Sequence, residues 1–232
     1  MKHVIRILLC VAIVVMAYLC VMSIMTPINF DNERAVREKA IIKNLVDIRN
    51  VEIEYKKING HYCPNADSLV AFIEFGKVPM IMKEGTLTDE QMKNGLTEKK
   101  AAAIVRSGNA KEIAENGLQG FRRDTAFVSV YEALFADKYT LEEAKAIVYV
   151  PYTDNLTFEF DTASYVNMTT GIVTPLVQVG TSYDSYLGDL NHQQLVNLKD
   201  KEAKLQELKE DQYLGIRFGS IVESNNNAGN WE

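Results

Sequence analysis

The first pattern in this chain that could do chemistry is His61-x-Cys63 with Asp67 four residues on. An imidazole, a thiol and a carboxylate so placed suit half of a metal site, or a thiol activated by its neighbour. A structural metal takes about four ligands, and nothing nearby supplies the rest, so the segment reads more simply as a loop. His3 and His192 are remote from it. There is no H-E-x-x-H, C-x-x-C or G-x-S-x-G, no phosphate-binding lysine loop and no dinucleotide glycine fingerprint. The 31 acidic residues offer many geometries for a hydrolytic carboxylate pair, but no spacing singles one out. The expectation is therefore a non-enzymatic protein with no catalytic, cofactor-binding or metal-binding residues and no cofactor.

Other reactive or recognition groups are few. Cys10 and Cys20 lie in an apolar segment, which leaves Cys63 without an intramolecular partner. It is either a small buried side chain or a cross-link to a second copy or a partner. Tyr149, Tyr152, Tyr165, Tyr183 and Tyr186 present apolar faces with polar tips, as a ligand- or glycan-binding wall would, although tyrosines in strands also serve sheet packing. Trp231, the only tryptophan, sits in an Asn-rich tail that is either disordered or docked on the domain. Asn155-Leu156-Thr157 and Asn167-Met168-Thr169 fit the glycosylation acceptor pattern, which is frequent by chance.

These groups must be positioned by what surrounds them, beginning with the amino-terminal segment. From Ile7 to Met25 every residue is apolar except Ser23 and the amphipathic Tyr18, and over residues 4–26 Arg6 is the only charge. A helix of that length measures roughly 35 Å, enough to cross about 30 Å of hydrocarbon. The run is longer than the apolar core of a cleaved signal, and no small-x-small cleavage pattern closes it at Met22-Ser23-Ile24-Met25-Thr26. Leu9 before Cys10 and Leu19 before Cys20 argue against a lipoprotein signal. The expectation is an uncleaved anchor contacting the lipid bilayer through residues 4–26. Lys2 and Arg6 face Arg34, Arg37 and Lys39 across it. The charge balance is nearly even, and a short basic head favours a cytoplasmic amino terminus and a periplasmic body.

Pro27 and Asn29 are expected to interrupt this helix and Asp31 or Asn32 to cap a new one. Ala40, Ile41, Leu45, Ile48, Val51, Tyr55 and Ile58 recur in helical steps, with Glu33/Arg37 and Glu52/Lys56 on a charged opposite face, and Asn59-Gly60 closes the stalk. A short helix follows at residues 68–75 with Asp67 as cap, then a strand at 77–83. Residues 84–123, marked by glycines and by the Thr88-x-x-Gln91 capping box, read as a polar helical excursion from the core. Strands are expected at 125–131, 146–152, 156–160, 164–168 and 172–179, with a helical turn or two at 140–146. A helix capped by Asn191 runs to Gln212 with Leu195, Leu198, Leu205 and Leu208 on one face, and a closing strand covers 216–222. The resulting organisation is a head and anchor at 1–27, a stalk at 28–60, an ectodomain at 61–223 with the insertion at 84–123, and a polar tail at 224–232. The fold class is α+β, a transmembrane helix followed by an amphipathic helix packed on an antiparallel sheet.

Over the whole chain 25 Lys and Arg oppose 31 Asp and Glu, but only Lys2 and Arg6 fall in the first thirty residues, so the remainder carries −8. An acidic body without a basic run excludes nucleic acid as a partner.

The apolar span running into Ile48-Arg49-x-x-Glu52-x-x-Tyr55-x-x-x-x-Gly60-x-Tyr62 resembles the type IV pilins and type II secretion pseudopilins over about the first 75 residues. The resemblance implies a helix half in the membrane carrying a small antiparallel sheet. It lacks the family's processing-site glycine and the glutamate five residues into the mature helix, since the first glycine is Gly60 and the first acid is Asp31. Prepilin processing and glutamate-directed assembly are therefore not implied. The whole chain, including its Asn225-to-Glu232 ending, is similar to a set of uncharacterised single-pass envelope proteins from the Bacteroidetes, which implies a periplasmic ectodomain and no activity. The leading expectation is a subunit of a secretion, transport or pilus-like assembly in the bacterial inner membrane, meeting other envelope proteins or itself. The alternative is a membrane-anchored periplasmic ligand- or glycan-binding module.

Overall fold

The computed structural model describes every residue except Met1, Asn167, Thr170, Lys209 and Glu210, and every described side chain except those of Lys2, residues 81–83 and residues 123–125. The acceptor tripeptide at Asn167 therefore begins outside the described residues. The fold is α+β, with antiparallel sheets and one very long helix.

That helix, α1 (Lys2–Asn59), is 58 residues long and contains Pro27 without ending there. The break expected at Pro27 and Asn29 is absent because nucleation, not extension, is the costly step in helix formation. An apolar helix precedes the proline and an amphipathic one follows, so continuity sacrifices one backbone bond. Beside it the Thr26 hydroxyl donates to the Met22 carbonyl at 2.7 Å. The helix ends as its sequence predicts, with Gly60 at φ +77° and its N–H bonded to the Lys56 carbonyl. Helix α2 (Ala66–Phe75) follows, and its cap is Asn65 rather than Asp67, the Asn65 Oδ1 accepting from the Ser68 N–H at 2.8 Å.

The chain forms two compact units. The second, Phe72–Leu141, is a contiguous piece built on an antiparallel ribbon of β1 (Lys77–Glu84) and β2 (Arg122–Ser129), with Lys77 opposite Ser129 and Glu84 opposite Arg122. Pro79 fits because each strand of a two-stranded ribbon has a free edge. Between the strands lie α3 (Asp89–Lys93), α4 (Glu98–Ser107) and α5 (Ala110–Glu115). They form a small core of Ala101, Leu118 and Phe121, flanked by Leu87, Leu96 and Ile113. Helix α6 (Val130–Leu134), not foreseen from sequence, starts at the Ser129/Glu132 capping box.

The first unit joins residues up to Ala71 with those from Glu142 onward. After α7 (Leu141–Ala146), residues 146–152 do not form the expected strand. Ile147, Val148 and Val150 are apolar because they are buried, and Tyr152 and Asn155, both at positive φ, turn the chain back. The Val150 N–H then bonds Leu156 O and the Phe158 N–H bonds Val148 O. The two strands expected at 156–160 and 164–168 are one, β3 (Glu159–Val166), paired with β4 (Val173–Ser182), which pairs with β5 (Gly215–Gly219). Asp161, in the gap between the two expected strands, is tolerated inside β3 because β3 is an edge strand. Buried Leu176, Val177 and Val179 on β4 and Ile216 and Phe218 on β5 belong to the core of this unit, and α1 lies against β5. Ile41, Leu45, Ile48 and Val51 of α1 are fully buried, each contributing about 2 kcal/mol. Helix α8 (Tyr183–Leu187), also unforeseen, precedes α9 (His192–Leu205).

Helix α9 stops well short of Gln212. The Gln206 side chain bonds both backbone groups of Tyr213, redirecting the chain into β5, and only Leu195 and Leu198 of the expected leucine face are buried. The polar tail is folded. Asn226 and Asn227 take left-handed φ, the Gly219 N–H bonds Ala228 O, and the Asn230 N–H bonds Arg217 O. Residues 228–230 thus line the outer edge of β5.

Candidate functional site

The loop after α1 does not assemble the chemistry its residue types allow. His61 and Asp67 are exposed while Cys63 is fully buried. Among the described residues, no three His, Cys, Asp or Glu side chains come together as a metal-binding group. The Cys63 thiol donates to the Asn65 carbonyl at 3.3 Å. Burial pushes its pKa up to about 11, against the opposing Asn65 bond and with help from nearby Glu52. A protonated, enclosed thiol is a poor nucleophile and a poor cross-linker.

The unusual group here is Glu52, which sequence placed on the charged face with Lys56. It is fully buried instead, its Oε2 accepting the Cys63 N–H at 2.9 Å and its Oε1 without a hydrogen-bond partner among the described residues. Burial raises its pKa to about 8 against that one hydrogen bond. Lys56 turns away, its ammonium 4.5 Å from the Tyr62 ring centroid. The Glu33/Arg37 pair does form, but on a buried guanidinium. Arg37 binds both Asp189 oxygens and the Tyr186 carbonyl, which holds the Asp189 pKa below the usual carboxylate range.

A groove of 780 Å³ in the first unit collects the other candidates. Tyr183 of α8, Tyr213 before β5 and Trp231 of the tail supply its aromatic rings, while Arg34 and Glu38 of α1 and Asp211 and Arg217 supply paired charges. Burial opposes ionisation of Asp211, but hydrogen bonds from Arg217 and Ser220 outweigh it and lower the pKa. Burial likewise pushes Tyr183 up to about 12. Of the five tyrosines singled out by sequence, only Tyr183 lines the groove. Tyr186 is buried with its hydroxyl on Glu38, Tyr152 stacks under Arg37, and Tyr149 and Tyr165 are exposed elsewhere. Tyr213 had no distinguishing sequence context.

Trp231 is docked, and glycine makes this possible. A Cβ on Gly229 would stand 2.4–2.6 Å from three atoms of the indole, so the ring rests directly on the Gly229 backbone. Gly229→Ala is expected to push the indole off this seat and red-shift its emission, a change read directly because Trp231 is the sole tryptophan. An unshifted spectrum would contradict the seat.

No family model matches the chain, and neither a curated protein nor a solved structure is significantly similar to it.

Proposed function

We propose that this chain is a non-enzymatic, single-pass membrane-anchored envelope protein whose α1 carries the first unit as a subunit of a secretion, transport or pilus-like assembly. One observation carries the reading, the two-sided use of α1. It is the one described helix long and apolar enough to cross a membrane, and residues 3–25 are exposed throughout, whereas Ile41, Leu45, Ile48 and Val51 are fully buried. Such an exposed apolar surface is costly in water and at rest in hydrocarbon. With the amino terminus inside, the body faces the periplasm. The test uses the full chain in a bacterial host. The chain should stay in the membrane pellet through an alkaline carbonate wash at uncleaved size, and added protease should digest the body in spheroplasts. Crosslinking should then trap other envelope proteins or a second copy. Release into the soluble fraction, protection of the body, or recovery only as an isolated monomer would each sink a part of the proposal.

The groove favours a second reading, a membrane-anchored ligand- or glycan-binding module, because Tyr183, Tyr213 and Trp231 line one concavity.

A further inference from the structure

Among the described residues, the charges lining the groove do not balance. Arg34 and Arg217 are the only guanidinium groups among those residues, and they are tied to Glu38 and Asp211. Glu202 of α9 and Glu223 beyond β5 also line it, and among the described residues neither makes an ion pair. Glu202 is half-buried and close enough to Tyr183 to oppose that hydroxyl's ionisation. Unneutralised carboxylates on a concave wall focus a negative potential and draw cations. The mostly polar lining also carries apolar groups, with Leu205 and Val222 both exposed and the Trp231 indole partly so. A free anion is repelled by this surface, and an uncharged saccharide leaves both carboxylates without a counter-charge. A cation on an apolar stem satisfies each feature at once, the head meeting the carboxylates, the stem covering Leu205 and Val222, and the indole adding a cation–π contact.

We propose that the groove receives an extended segment of a partner protein bearing lysine or arginine, recognised by Glu202 and Glu223 in the concavity that Trp231 also lines. This deepens the assembly reading by giving the partner's chemistry, and rests on it only in that the occupant is a protein. The full chain in uncharged detergent micelles can be titrated with an eight-residue peptide alternating lysine and serine, with the emission of Trp231 as the signal. A saturable change is expected, weakened about tenfold or more in a Glu202→Gln/Glu223→Gln variant and weakened again by added salt. Both positions are at least partly exposed, so the variant should keep the parent's circular dichroism and melting, which is checked alongside. The proposal is overturned by no saturable change, by an equal response to a glutamate–serine peptide, or by unchanged affinity in the double variant. A response confined to an uncharged chitin oligosaccharide would also overturn it, in favour of glycan binding. Membrane orientation does not enter this measurement, so failure here leaves the anchor standing, and failure of the anchor leaves the groove standing.

Discussion

Replacing Glu52 with glutamine is expected to flatten the pH dependence of stability and to stabilise the protein above neutrality. The carboxyl has a pKa of about 8 in the fold against an ordinary value of 4.5. It binds its proton more tightly when folded than when unfolded, so unfolding releases a proton between those two values. Its contribution is then full below about pH 4.5, declines as pH rises towards 8, and is constant beyond. At about 1.4 kcal/mol per pH unit the loss by pH 7 is on the order of 3 kcal/mol. Glutamine keeps an acceptor for the Cys63 N–H and has no proton to lose. Chemical denaturation of the full chain in micelles at pH 5 and pH 8 should show the parent losing stability over this interval and Glu52→Gln losing far less. Parallel profiles would mean that Glu52 is not the titrating group. The benefit is not without cost, because the amide nitrogen takes over the position of Oε1, which has no hydrogen-bond partner among the described residues.

Removing residues 225–232 should destabilise the first unit by a similar amount and change its solubility. The Gly219–Ala228 and Asn230–Arg217 backbone bonds go, as do the Asn230 side-chain bonds to the Arg217 N–H and Gly215 carbonyl. The Arg49–Glu232 ion pair and the contacts between Tyr62 and Asn227 are lost as well. At about 1 kcal/mol per well-made hydrogen bond, a loss of roughly 3–5 kcal/mol is expected. The exposed edge of β5 becomes a template for another strand. Urea denaturation should show a lower midpoint, and light scattering a growth of particle size with concentration. A truncated chain with an unchanged midpoint would show that the tail is decoration.

How much of this was legible beforehand depends on the kind of signal. The Asn59-Gly60 stop, the Thr88 box and the Asn191 cap are local signals, fixed by a few residues' backbone preferences, and the Ser129 box is of the same kind although it lies inside a stretch with strand composition. Segment type failed where burial imitated strand propensity, as at Ile147, Val148 and Val150. It failed again where a side chain redirected the backbone, as Gln206 does on Tyr213. Glu52 could have been found. It lies four residues after Ile48 and shares the face of Ile41, Leu45 and Ile48, but its acid type and Lys56 four residues on suggested a solvated pair. The groove could not have been read, because Arg34, Tyr183, Tyr213 and Trp231 come together only through tertiary contacts between elements far apart in sequence.

The interrupted course of the first unit also sets an order of events during synthesis. Phe72–Leu141 is one uninterrupted stretch and can reach its native contacts as soon as it is made. The first unit cannot. Arg49 and Glu232 are 183 positions apart, so the closing contacts wait until Glu232 has been made. Until then α1 has no β5 to lie against, and its fully buried residues at 41, 45, 48 and 51 remain uncovered. A nascent chain with those side chains uncovered is exposed to aggregation, and long-range closure of this kind is slow.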